Sequence, residues 1–149
     1  MRTVIQRVKR AGVWVNQSEV AKIGHGLLIL AGIENTDTEN DVEWMAEKCV
    51  YLRIFENENG KMDYSVLDVG GEILIVSQFT LLGDCRRGRR PDFTQAAPVE
   101  KAKSLYEKFI DEIQKRGVHT ETGIFQAQME VHLVNDGPVT LILDSKKEL

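Results

Sequence analysis

Cysteine is scarce in this chain. Only Cys49 and Cys85 occur, far apart and outside any CxxC spacing, which excludes a disulfide scaffold and a thiolate metal centre. His25, His119 and His132 show neither H-x-x-x-H spacing nor a triad signature, so no metal and no cofactor is expected. Long apolar runs are missing too. The fullest one, "GLLILAGI", is far too short to cross a bilayer, and no membrane partner is expected. The opening "MRTVIQRVKRAGVWV" alternates and carries charge throughout, unlike a signal or transit peptide, so the expected compartment is the cytoplasm. A basic excess is also absent. A net charge of −4 argues against a protein that coats long tracts of nucleic acid.

What is present suits a globular domain. The 149 residues, 42% hydrophobic and 28% charged, are read as one domain spanning 1–149, and a chain of this size buries roughly 68–70% of its unfolded surface. Residues 2–9 read as a strand, and "GVWVNQSEVAKIG" as a hairpin turning near Asn16–Ser18. Residues 26–33 form a continuous apolar run of the kind buried on both sheet faces. "TDTENDVEWMAEKCVYL" offers Thr and Asp caps and sets Val42, Met45, Cys49 and Leu52 on one helical face. "RIFENENGKM" is strand, Asn-Gly turn, strand, and 71–81 is a central strand whose end turns polar. Pro98 suits the start of a second helix running to about Arg116, with Leu105, Phe109 and Ile113 as its stripe and Gly117 as its stop. "GIFQAQMEVHLV" and "PVTLILD" then read as two strands about a turn. The predicted fold is α/β, of α+β-like character: a single-domain, strand-rich mixed sheet covered by two main helices. Two helices cover one face, so the other is expected to pack in a homodimer.

Three stretches carry chemistry. In "NDGPVTLIL" (135–143), Asp136-Gly137 is a hairpin-turn dipeptide, and Pro138 lacks the N–H that a ladder uses. That pattern reads either as a tight turn or as a Gly-Pro unit displaying its backbone carbonyls. In "VSQFTL", an apolar strand presents Ser77, Gln78 and Thr80 at its end, where strand ends commonly meet ligands; turn capping is the plainer use of such residues. The loop "CRRGRRPDF" brings Arg86, Arg87, Arg89 and Arg90 together, suited to bidentate phosphate contacts on a short backbone segment or simply to solvation. Cys85 in that loop is either a thiol activated by its cationic neighbours or, more simply, an incidental one.

Taken together, "SQFTL" at 77–81 and "NDGPVT" at 135–140 resemble the D-aminoacyl-tRNA deacylase family. The likeness extends over the chain through "MRTVIQRVKRA", "LRIFENENGKM", "SVLDVGGEILIVSQFTL", "GRRPDF" and "NDGPVTLILDS". The resemblance implies a cytoplasmic homodimer that hydrolyses the ester joining a D-amino acid to the acceptor end of tRNA. It implies that Gly137-Pro138 is a cis dipeptide reaching from one subunit into the other's active site as a chirality filter. It further implies a catalytic group of Ser77, Gln78, Phe79 and Thr80, with oxyanion-stabilising amides around Gln78 and Phe79 and attack by water beside a ribose 2′-hydroxyl. Phe125 and Ala127 are implied contacts to the terminal adenosine. This chain reads Phe125-Gln126-Ala127 where many members have Phe-Gly-Ala, and its basic loop carries more cysteine and arginine than expected. Two rival readings remain: a non-catalytic nucleic-acid-binding module using "RRGRR", and a covalent hydrolase using Thr80 or a cysteine.

Overall fold

In the computed structural model, which describes residues 1–149, the alternating start of the chain forms one long strand, β1 (Arg2–Val15). Its period of two turns Met1, Thr3, Ile5 and Arg7 to the interior. The expected hairpin follows: Asn16 and Gln17 both take positive φ, 50° and 67°, the geometry whose twist matches antiparallel strands. They lead into β2 (Ser18–Ile23). Next come β3 (Gly26–Gly32), α1 (Glu39–Tyr51), a small ribbon of β4 (Phe55–Glu56) and β5 (Met62–Tyr64), and β6 (Glu72–Ser77). A 3-10 turn (Phe79–Leu82), α2 (Val99–Lys115), β7 (Thr120–Thr122) and β8 (Glu130–Asp144) complete the chain. The main sheet runs β2-β1-β3-β6-β7, with β8 alongside β1. β3–β6 and β6–β7 are parallel, and the other pairs in this sheet are antiparallel. The architecture is thus the mixed, strand-rich α+β arrangement expected.

Both helices take shape for legible reasons. The Asp41 carboxylate accepts from the Thr38 amide at 2.9 Å and caps α1, which buries Val42, Met45 and Cys49. α2 buries Leu105, Tyr106, Phe109 and Ile113, and Gly117 ends it at φ 91°. With Ile5, Leu27, Ile29, Ile73 and Ile75 from the sheet, these side chains make the larger core. No helix is long and apolar enough to cross a membrane.

Four features differ from the sequence reading, the first being that the strand expected over 71–81 ends at Ser77 and gives way to the 3-10 turn at Phe79–Leu82. The sheet face away from the helices is partly filled from within: Val8, Val13, Ala21, Ile23, Leu28, Leu74 and Val76 form a second core there. A register irregularity at Val13/Trp14 and the ordinary strand twist bend the β1–β2 hairpin over that face. Residues 123–129 form a turn, not a strand, because Gln126 takes a left-handed φ of 66°. Asp136-Gly137 is likewise no hairpin turn, since β8 continues through it along β1.

Gln6 pairs with Thr140 and Val8 with Asn135. The four residues Asp136–Val139 of β8 therefore oppose Arg7 alone on β1, and a surplus of three loops outward as a bulge. Asn135 closes its base: its Oδ1 accepts from the Val139 amide at 2.8 Å, and its Nδ2 donates to the Val139 carbonyl at 3.2 Å. Gly137 and Pro138 stand exposed on the bulge, joined by a cis peptide bond.

Candidate active site

β6 is buried from Ile73 to Val76 and emerges at Ser77, level with Ala31 of β3. The chain then turns sharply. The Gln78 amide donates to the Ala31 carbonyl at 2.8 Å, and the 3-10 turn packs onto Gly32. A Cβ on Gly32 would stand 2.6 Å from Leu82 Cδ2 and 2.9 Å from the Gln78 carbonyl oxygen, so only glycine admits this approach. From α2, Tyr106 donates its hydroxyl to the Ile75 carbonyl at 3.1 Å. Burial pushes that phenol well above its ordinary range and keeps it a donor. The end of β6 is thereby fixed from both sides.

Beyond it, Phe79 and Thr80 are exposed. Their amides open the 3-10 turn and have no acceptor within it. Gln78 contributes differently from expectation, because its amide already serves Ala31; its side-chain amide instead donates to Thr80 Oγ1. Facing these groups across a cleft of about 800 Å³ are Phe125, Gln126, Ala127 and Met129. Gly123 ties that wall to the strand, its amide donating to the Ile75 carbonyl at 3.0 Å. The lining includes Ser77, Gln78, Thr80, Gln126 and Gln128 but no charged side chain and no histidine. No general base therefore stands by the Thr80 hydroxyl. Burial pushes the Cys49 thiol up to about 12, which leaves it inert, whereas Cys85 is exposed in the basic loop. No three histidine, cysteine or carboxylate side chains gather as a metal-holding group.

The other sequence motif lies elsewhere. Arg7 is level with Leu27 on β3, and Leu27 with Ile73 on β6. The Gly137–Pro138 bulge faces Arg7, so it sits at the strand end opposite Ser77. Four residues along the strand and three strand spacings across put the two motifs on the order of 20 Å apart within one chain. What holds the bulge is Arg7, which the sequence reading does not single out. It is 5% exposed; its Nε donates to the Asp136 carbonyl at 2.9 Å and its Nη1 to the Ile54 carbonyl at 2.8 Å. Alternation with Met1, Thr3 and Ile5 was the available signal that Arg7 points inward. His25 lies 3.9 Å from the Asp136 carboxylate and edge-on to Phe55, with ring centroids 5.2 Å apart.

The arginines of 86–90 lie on an exposed loop outside the cleft lining. Arg86 is held bidentately by Asp84, at 2.9 and 2.7 Å. The pair keeps the Asp84 carboxyl far below the usual carboxylate range. Arg87, Arg89 and Arg90 form no ion pair.

Relatives share this whole layout. A protein of Thermotoga petrophila described as D-aminoacyl-tRNA deacylase is 57% identical over 147 residues, covering 99% of each chain. One of Geobacter sulfurreducens with the same description is 58% identical over 146 residues, 98% of this chain and 96% of its own. Among solved structures, the c-Myc DNA Unwinding Element Binding Protein superposes with a TM-score of 0.91 at 44% identity, over 97% of this chain and 98% of that one. The sequence signature of the D-Tyr-tRNA(Tyr) deacylases spans residues 4–144, so it includes both the strand-end cleft and the Gly-Pro bulge, and the chain belongs to that family.

Proposed function

We propose that the cleft is the catalytic centre of a cytoplasmic D-aminoacyl-tRNA deacylase that works as a homodimer. Its substrate is the ester between a D-amino acid and the terminal ribose of tRNA. Water adds to the ester carbonyl, positioned by the neighbouring ribose 2′-hydroxyl. The C–O bond to the ribose then breaks, and the departing ribose oxygen takes a proton. The carbonyl oxygen becomes negative on the way, and the amides of Phe79 and Thr80 are suited to receive it; one such donor is worth ~2.7–4 kcal/mol of barrier. Ser77, the Gln78 side chain and the Thr80 hydroxyl act as positioning groups. Phe125 and Ala127 offer the wall for the terminal adenosine, and Arg87, Arg89 and Arg90 offer cations for its phosphates, with Arg86 largely satisfied by Asp84.

The observation that carries this reading is a cleft with exposed amides and no ionisable side chain. Such a site suits an oxyanion mechanism with substrate-assisted water, and it does not suit a covalent threonine. Shared sites are supported by the separation of the two motifs within one chain: Gly137 and Pro138 reach a Thr80 cleft only as Gly137 and Pro138 of the partner subunit. Their carbonyls would crowd the side of Cα where an L-amino acid carries its side chain, whatever that side chain is.

Incubation with D-alanyl-, L-alanyl- and glycyl-tRNA tests the proposal. D-alanyl and glycyl esters should be hydrolysed and the L-alanyl ester spared. Equal hydrolysis of both alanyl enantiomers, or equal rejection of glycine and L-alanine, would overturn the steric filter. A second reading draws on the name of the 44% identical DNA Unwinding Element Binding Protein and on the basic loop: a DNA- or RNA-binding module, which predicts steeply salt-dependent binding without turnover.

A further inference from the structure

Phe79 and Phe93 are 56% and 36% exposed and touch edge to face, with ring centroids 5.1 Å apart and an interplanar angle of 66°. Single exposed apolar side chains are ordinary on a protein surface. This pair has three features that single ones lack. Phe79 lines the rim of the cleft, so the pair continues the cleft outward. Phe93 closes the loop whose three unpaired cations are Arg87, Arg89 and Arg90, so aromatic and basic groups adjoin. The backbone under Phe93 is also pinned. Asp84 and Asp92 exchange amide-to-carbonyl hydrogen bonds at 2.8 and 3.0 Å, and the Ala96 amide donates to the Phe93 carbonyl at 3.0 Å. The Asp92 carboxylate accepts from the Thr94 amide at 2.8 Å. Gly83 lets the ring settle, since a Cβ there would stand 2.9 Å from Phe93 Cε1.

We propose that the Phe79–Phe93 pair is a stacking platform for an unpaired nucleobase of the tRNA 3′ single strand, the one preceding the terminal adenosine, with the adjoining arginines on its phosphate. Stacking on an aromatic face is tolerant of base identity and is a common way to hold single strands beside a cationic groove. A pre-ordered pair loses little entropy on binding. The cleft receives the terminal nucleoside and its ester, and the platform fixes the strand that leads into it. This rests on the deacylase reading above, from which its test is separable.

The experiment compares wild type with Phe93→Ala, Phe93→Leu and Phe93→Trp on D-aminoacyl-tRNA and on D-aminoacyl-adenosine, which has no preceding nucleotide. Phe93→Ala should raise KM for the tRNA by roughly five- to hundredfold with little change in kcat. The penalty on the adenosine ester should be at least several-fold smaller. Phe93→Leu, which keeps bulk without a π-face, should resemble Phe93→Ala, and Phe93→Trp should restore binding. In parallel, a fluorescent purine at the penultimate position of uncharged tRNA should be quenched by wild type and not by Phe93→Ala. Equal losses on both substrates, a Leu variant as good as wild type, or unquenched fluorescence would overturn the platform. So would dissociation of the dimer by Phe93→Ala, which would make the pair a contact between copies of the chain. Failure of wild type to hydrolyse either ester would instead remove the deacylase reading, while the quenching still decides the platform.

Discussion

Replacing Arg7 by methionine keeps most of the buried stem and removes every donor. The guanidinium donates to two carbonyls, of Asp136 and Ile54, at 2.9 and 2.8 Å. Hydrogen bonds from a charged donor are worth about 1.5–3 kcal/mol each, and the acceptors left behind are largely out of reach of water. Its carboxylate neighbours count for less: Glu56 at 3.5 Å and Asp136 at 3.7 Å have side chains 53% and 31% exposed, and such pairs contribute about 0–1 kcal/mol. The expected loss is therefore about 3–6 kcal/mol. For a chain of this size that lowers Tm by roughly 10–20 °C and leaves a folded protein at assay temperature. The functional effect follows from place. Without Arg7 the Asp136-Gly137-Pro138 bulge loses its anchor, so the ratio of D- to L-aminoacyl-tRNA hydrolysis should fall, measured well below the melting point. Arg7→Lys, with one compact ammonium for two divergent carbonyls, should lie between. A methionine variant that melts within about 2 °C of wild type would refute the energetic reasoning. One that melts early yet discriminates as before would confine Arg7 to stability.

Thr80→Ala should cost roughly tenfold in kcat, not the roughly millionfold that follows loss of a true nucleophile; an aminoacyl ester trapped on Thr80 would decide against this. Neutralising Arg87 and Arg89 together should weaken binding of all tRNA substrates alike and reduce the salt slope by up to about one unit per lost phosphate contact. A changed D/L preference at constant slope would put the loop at the chemical centre instead. Acid should expose a third dependence. Arg116 at 2.9 Å and Lys108 at 3.0 Å hold the pKa of the Glu112 carboxyl down at about 2, below its ordinary 4.5. A carboxylate depressed by folding adds stability that is complete above its unfolded pKa and fades as pH falls through the folded one. The wild-type advantage over Glu112→Gln in urea unfolding should therefore be full at neutral pH and shrink between about pH 4.5 and 2; an advantage constant down to pH 2 would contradict it.

Much of this was legible in the chain because local chemistry and global packing agree there. The helix stripes of Val42–Met45–Cys49 and Leu105–Phe109–Ile113 face the core as their spacing requires. Residues 26–33 and Ile73–Val76 are nearly all buried, as apolar runs should be, although the strand expected over 71–81 stops at Ser77. What misled was punctuation. Asp136-Gly137 carries a hairpin's composition, yet a partner strand as long as β1 pairs on either side of it, and tertiary pairing overrides the local signal. Gln126 turned a stretch that alternates like a strand into a loop, since a single left-handed residue ends a ladder. The site's distant parts were invisible for a different reason. Arg7 and Tyr106 act through backbone carbonyls far along the chain, and backbone acceptors leave no mark on sequence.

The bulge in β8 also makes counting a functional property. Pairing on its two sides is set independently, at Thr140 against Gln6 and at Asn135 against Val8. The projection of Gly137 and Pro138 is thus metered by how many residues lie between those anchors. Substitution at Val139 or Asp136 alters a surface; insertion or deletion of one residue between them alters a length, or flips one flank of β8 face for face. Across relatives, this segment should tolerate changes of letter far better than changes of number, and a library of single-residue indels through 135–140 should lose stereochemical fidelity before it loses the fold.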